Sequence, residues 1–195
     1  MTGIILAGGK SQRMGRNKAF IDSGGVPLFE RVYRIFREIF SEIIIVANHV
    51  LPFERYEAIL RRDIILGKGA LGGLYTGLFH SSNYHTFCAA CDMPFLNPRV
   101  IKYMREERDE YDVVVPKTHD GLHPLHAFYS KKCLNPMRQS LDRNDLKIVN
   151  FFHHVRVRYI EEMEIREFDP HMRSVINVNT EEEMEAVRNI LLEAE

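Results

Sequence analysis

The N-terminal segment Gly3-Ile-Ile-Leu-Ala-Gly-Gly-Lys-Ser-Gln-Arg-Met-Gly-Arg-Asn-Lys18 joins a short apolar run to a turn rich in glycine and cations. Gly3–Ala7 reads as a first strand. Gly8 and Gly9 let the backbone reverse sharply and bring its N–H groups close to an anion. Lys10, Arg13, Arg16 and Lys18 follow in the same loop, and residues 1–18 hold no acid. Cations around a glycine turn match a compact polyanion, and a triphosphate has that size and charge. The loop is not a Walker A motif, because Gly-x4-Gly-Lys-Ser/Thr cannot be matched. A solvated surface loop is the other reading of the same residues.

Outward from this strand, short apolar runs alternate with amphipathic stretches. Leu28, Phe29, Val32, Ile35, Phe36, Ile39 and Phe40 recur at helical spacing and predict a helix over 27–40. Ile43–Ala47 is continuous rather than alternating, the pattern of a strand buried on both faces. An extended segment is expected at Asp63–Leu66, a helix over 71–82, a strand at Tyr84–Ala90, a helix at Pro98–Arg108 and a strand at Tyr111–Pro116. His126–Tyr129 reads as extended, 131–141 as a helix, 145–152 as helix-like and 155–160 as a strand. Thr180 and Glu183 form a capping box before the face Met184, Val187, Ile190 and Leu191. This order predicts an α/β fold: a three-layer α/β/α arrangement around a mostly parallel, Rossmann-like sheet. No repeat or linker divides it, so one domain over residues 1–195 is expected. In such sheets, ligands bind at the carboxyl ends of strands, which directs attention to the loops after Ala7, Ala47 and Ala90.

Composition narrows the function. The 195 residues carry 26 Lys plus Arg against 27 Asp plus Glu, and 45% are hydrophobic. That balance suits a folded chain with its own core and argues against a general nucleic-acid coat. The longest apolar run, Ile43–Ala47, is far short of a membrane span, and the N-terminus lacks the pattern of a signal peptide. Three cysteines do not make a disulfide framework. A cytoplasmic protein without membrane or nucleic-acid partners is the expectation.

Three further segments could carry chemistry. Cys91-Asp-Met-Pro94 closes a strand, where Asp92 could bridge a divalent metal to phosphate oxygens or cap a helix starting near Asn97. Gly67-Lys-Gly-Ala-Leu-Gly72 is a literal G-x-G-x-x-G with Asp92 downstream, imitating a dinucleotide fingerprint and hence an oxidoreductase. However, it does not open the domain and leaves the cationic loop unexplained. Asn177 and Asn179 share one side of an extended segment and could address one polar ligand, or simply precede the last helix. Cys88 and Cys91 point to opposite sides of a strand and read as inert thiols, and the spacing of His119, His123 and His126 matches no standard metal site.

Taken in order, these segments resemble the molybdenum cofactor guanylyltransferase (MobA-like) family of nucleotidyltransferases. The motifs are Leu6-Ala-Gly-Gly-x-Ser-x-Arg-Met-Gly-x-x-Lys18, Gly69-x-Leu-x-Gly73, Cys91-Asp-Met-Pro94, His123-Pro-Leu125 and Asn177-Val-Asn-Thr180. The resemblance implies a nucleotide-diphospho-sugar-transferase type of fold and transfer of GMP from GTP to molybdopterin, with Mg²⁺ as cofactor. It implies that Leu6, Ala7 and Gly8 contact GTP through the backbone, that Lys18 binds its phosphates, and that Asn48 and Asp63 hold the nucleoside. Asp92 would ligate Mg²⁺, and Asn177 and Asn179 would face the molybdopterin. Arg13 joins Lys18 as a second phosphate cation on charge grounds. Transient contact with proteins that supply molybdopterin or receive the cofactor also follows. Asn17 stands where the family has Asp, and Ala70 where it has Pro. The rivals are a CMP-transferring sister enzyme or a nucleotidyltransferase using another small phosphorylated acceptor, the dinucleotide oxidoreductase and a GTP-binding module without catalysis.

Overall fold

A computed structural model describes residues 1–8, 20, 25–178 and 180–192. In chain order its elements are β1 (Thr2–Leu6), α1 (Leu28–Ile39), β2 (Glu42–Val46), β3 (Ile59–Arg61), α2 (Gly69–His80), β4 (His85–Ala90), α3 (Pro98–Glu106) and β5 (Val113–Thr118). Then come β6 (Gly121–Leu122), β7 (His126–Ser130), α4 (Leu134–Asp142), β8 (Val157–Glu161), α5 (Glu162–Arg166) and α6 (Glu181–Leu192). Among the described residues the strands join one sheet in the order β3-β2-β1-β4-β7-β5-β6, with β8 parallel to β5. β1 pairs in parallel with both β2 and β4, while β7 runs antiparallel between β4 and β5. The sheet is mixed and mostly parallel, as expected.

Alternation along the central strands builds two cores. Ile5, Ile43, Ile45, Phe87 and Ala89 face α1 and α3, against Phe29, Val32, Phe36, Val100, Ile101 and Met104. Ile4, Leu6, Ile44, Val46 and Cys88 face α2 and α4, against Leu71, Leu74, Leu78, Met137 and Leu141. Each fully buried side chain of this kind contributes roughly 1.5–3 kcal/mol of transfer free energy. Continuous apolar strands are thus explained by helices on both sides. α2 lies unusually close to β1: a Cβ on Gly77 would stand 2.6 Å from Ile4 Cγ2, so only glycine fits without movement.

Three expectations need correcting. Asp63–Leu66 is not a strand. The third strand is Ile59–Arg61, paired with Ile44–Val46, and the chain then turns because the Thr76 hydroxyl accepts the Ile64 N–H at 2.9 Å. The helix at 131–141 is two pieces, a 3₁₀ turn at Lys131–Cys133 followed by α4. The helix-like stretch near 145–152 is a 3₁₀ segment at Ile148–His154.

Candidate functional site

The strand order reverses direction at β1, because the chain lays down β2 and β3 on one side and returns to place β4 on the other. The crevice at the carboxyl ends of β1 and β4 is therefore the topological switch point. Leu6 is in register with Ala90, so Gly8 and Asp92 both stand two residues beyond the paired positions. The main chain ties the two ends together: Cys91 N–H donates to Leu6 O at 3.1 Å, and Ala7 N–H to Val46 O at 2.9 Å. Asn48 follows β2 next to Gly8, where a Cβ on the glycine would lie 3.8 Å from the Asn48 amide nitrogen. Gly8 and Asn48 are both exposed.

Asp63 reaches the same edge from the turn after β3. Its carboxylate and the Leu6 side chain meet at Gly73 on α2: a Cβ there would lie 3.2 Å from Leu6 Cδ2 and 3.6 Å from Asp63 Oδ1. Asp63 is half-buried, and that burial raises its pKa above the ordinary carboxylate value. A carboxylate held partly out of water favours a hydrogen-bond donor or positive charge brought by a ligand.

Asp92 sits in the turn after β4. It does not cap the next helix; Asn97 does, with its side chain accepting the Arg99 N–H at 2.9 Å. Asp92 O instead accepts the Val178 N–H at 2.9 Å. This bond lays the segment before α6 across the site and places exposed Asn177 beside it. Val178 packs with Leu28, Met184 and Val187, fixing α6 against the start of α1. The Thr180–Glu183 capping box forms in both directions, at 3.1 Å each, so Thr180 and not Asn177 caps the helix.

Of the predicted site residues, Leu6, Ala7, Gly8, Asn48, Asp63, Asp92 and Asn177 therefore gather at one edge of the sheet. Arg13, Lys18 and Asn179 lie outside the described residues. Cys88 is buried, and its thiol is pushed well above its ordinary pKa by burial, which makes it inert. The three histidines diverge. His119 is exposed beside Glu162, His123 bonds the Thr118 hydroxyl at 2.9 Å, and His126 is fully buried. Among the described residues no group of three or more metal-ligating side chains forms. The close approach of Gly73 to Leu6 and Asp63 is not marked by any local signal. Gly73 lay inside a recognised motif, but its close approach depends on how α2 docks.

No helix among the described residues is long and apolar enough to cross a membrane. The profile of the MobA-like NTP transferase domain matches residues 3–157. A molybdenum cofactor guanylyltransferase of Desulfosudis oleivorans is 38% identical over 187 residues, covering 95% of this chain and 93% of that protein. Among solved structures, a molybdopterin-guanine dinucleotide biosynthesis protein A from Archaeoglobus fulgidus superposes with a TM-score of 0.87 at 27% identity, over 99% of this chain and 100% of the other. A nucleotidyl transferase from Methanothermobacter thermautotroptrophicus shares the fold, with a TM-score of 0.75 at 17% identity over 100% of this chain and 98% of the other.

Proposed function

The chain belongs to the MobA-like NTP transferase family, and on that premise we propose that it is a molybdenum cofactor guanylyltransferase. It transfers GMP from GTP to the terminal phosphate of molybdopterin, releasing pyrophosphate. One observation carries the reading: Leu6–Gly8, Asn48, Asp63 and Asp92 come from four separate loops and meet at the switch point between β1 and β4. One nucleotidyltransferase domain over residues 1–195 performs the reaction.

The Gly8 turn and its main-chain N–H groups receive the nucleotide, and Asn48 and Asp63 hold the nucleoside. Lys18 and Arg13 supply positive charge to the phosphates. Asp92 fits Mg²⁺ by the chemistry of its donor: this hard ion takes one or two carboxylates and fills its other positions with phosphate oxygens and water. Bound there, Mg²⁺ would neutralise phosphate charge and align the reacting groups. An anionic oxygen of the molybdopterin phosphate attacks the α-phosphorus of GTP. The bond from that phosphorus to the bridging oxygen breaks, and its electron pair leaves with pyrophosphate. The acceptor is already ionised, so the protein needs no general base. Its work is to hold two polyanions in line and stabilise the charge on the leaving group. Asn177 and Asn179 are assigned to binding the molybdopterin acceptor.

The test supplies purified protein with molybdopterin, Mg²⁺ and either GTP or CTP, and follows pyrophosphate release and the dinucleotide product by mass spectrometry. GTP-dependent product is expected. Turnover with CTP alone would reassign it to cytidylyl transfer, and GTP binding without pyrophosphate release would make it a non-catalytic module.

A further inference from the structure

The segment from Asp169 to Val178 lies over the carboxyl end of the sheet and carries Asn177. Its far end is bonded to Asp92 through Val178, as described. Its near end is built around Asp169, which is 7% exposed and whose Oδ2 accepts the Ser174 N–H at 2.7 Å. The Asp169 carbonyl also accepts the Met172 N–H at 3.0 Å, and Met172 takes a left-handed conformation, φ 54°, to close this turn. Ser174 is fully buried. What it meets from the sheet is His126, the first residue of β7, paired with Ala89 three residues before Asp92.

His126 is also fully buried, and its ring stands perpendicular to Phe87 with centroids 5.2 Å apart. Among the described residues neither ring nitrogen has a partner in hydrogen-bond geometry, and neither does the Ser174 hydroxyl. The imidazole thus stands perpendicular to Phe87 and approaches the Ser174 main chain and the Asp169 carboxylate without a ring nitrogen reaching full hydrogen-bond geometry. Buried polar groups of this kind favour any movement that pairs them. A small inward shift of the segment would do so and would carry Asn177 with it. We propose that His126 is a positioning residue: it seats the Asp169–Val178 segment on the sheet and so sets where Asn177 stands relative to Asp92 when the acceptor binds. This rests on the guanylyltransferase reading for its substrate, but the seating itself does not.

Two variants separate the ring's packing from its nitrogens. His126→Phe keeps an aromatic ring against Phe87 and removes both nitrogens; His126→Gln restores a donor and an acceptor. With the wild-type enzyme turning over GTP and molybdopterin, H126F should raise the KM for molybdopterin about tenfold while leaving the KM for GTP within about twofold, and H126Q should recover most of that loss. Independently of activity, hydrogen exchange at the Ser174 and Val178 amides should quicken about tenfold in H126F, with no change at the β1 and β4 amides. Should H126F fail to fold, Ser174→Ala tests the same contact from the other side, with a smaller rise in the same KM. An equal rise in both KM values, or unchanged exchange at Ser174 and Val178, overturns the proposal. A wild-type protein that transfers no nucleotide while H126F still loosens the segment would instead fault the functional reading and leave the seating intact.

Discussion

Replacing Gly73 by alanine separates the nucleotide wall from the fold. In a helix interior, Gly→Ala ordinarily stabilises by about 0.5–1 kcal/mol, because glycine loses more backbone freedom. The new methyl would stand 3.2 Å from Leu6 Cδ2, so Leu6 must yield by a few tenths of an ångström, and 3.6 Å from Asp63 Oδ1, an ordinary contact. The steric cost is of the same order as the helical gain, so global stability should change by less than about 1 kcal/mol. The nucleotide should register the change more strongly, because a shift of Leu6 moves the main chain assigned to contact it and crowds the Asp63 carboxylate assigned to hold the nucleoside. A rise of about tenfold in the KM for GTP, roughly 1.4 kcal/mol, is expected with little effect on the KM for molybdopterin.

Gly77→Ala supplies the contrast one helical turn along. Its methyl would fall 2.6–2.9 Å from three atoms of Ile4, far from the edge of the sheet. Overpacking of this kind costs about 1–3 kcal/mol, only partly offset by helix propensity. G77A should therefore lower the melting temperature by roughly 2–4 °C per kcal/mol lost, and the KM for GTP should stay put. Steady-state kinetics and thermal unfolding of the two variants give the answer. A stable G73A enzyme with an unaltered KM for GTP would refute the reasoning, since Leu6 and Asp63 would then not touch the nucleotide.

Asp92→Ala and Lys18→Ala should each reduce the transfer rate at least about a hundredfold, the scale of losing one charge stabiliser, and near-normal turnover in either would remove its role. Acid should destabilise the fold through His126, whose pKa burial lowers from its ordinary 6.5 to about 3. A histidine with a depressed folded-state pKa contributes fully above the unfolded value, and that contribution is lost as pH falls from 6.5 towards 3. Between pH 7 and 5 the loss is about 2 kcal/mol, so urea titrations of H126Q should show a flatter acid limb than wild type, and parallel limbs would contradict the buried neutral ring.

How much was legible in the sequence follows from how local each signal is. The β1 strand and the Asp92 turn declare themselves within a dozen residues, and hydrophobic runs buried on both faces announce a parallel sheet without any contact being known. The third strand is hard to place from sequence because Ile59–Arg61 is only three residues long and Ile64–Leu66 is equally apolar. Register with β2 decided between them, and register is a tertiary property. α5 escaped notice because its capping box uses Glu161 in place of the usual Ser or Thr. Asp63 entered only through resemblance, since nothing in its neighbours marks a carboxylate that will lie against Leu6. His126 was read beside His119 and His123 because the three are close in sequence, yet β7 and the following turns send them to separate environments.

The scatter of the site over four loops reflects the chemistry asked of it. A nucleophile that needs activation demands adjacent side chains in fixed contact, and such a constellation often leaves a compact motif. Phosphoryl transfer to an acceptor already ionised asks instead for charge and main-chain donors set around two large anions. Those can be supplied one at a time from the ends of parallel strands, which the sheet holds in register: Leu6 beside Val46 and Ala90 fixes where Gly8, Asn48 and Asp92 stand. Precision then depends on what braces the strand ends. The Leu6–Cys91 and Val46–Ala7 main-chain bonds brace the nucleotide side, and the Asp92–Val178 bond with the buried His126 contact braces the acceptor side. Substitutions in these braces should alter the KM of one substrate and spare the other, whereas loss of the charges themselves should depress kcat for both.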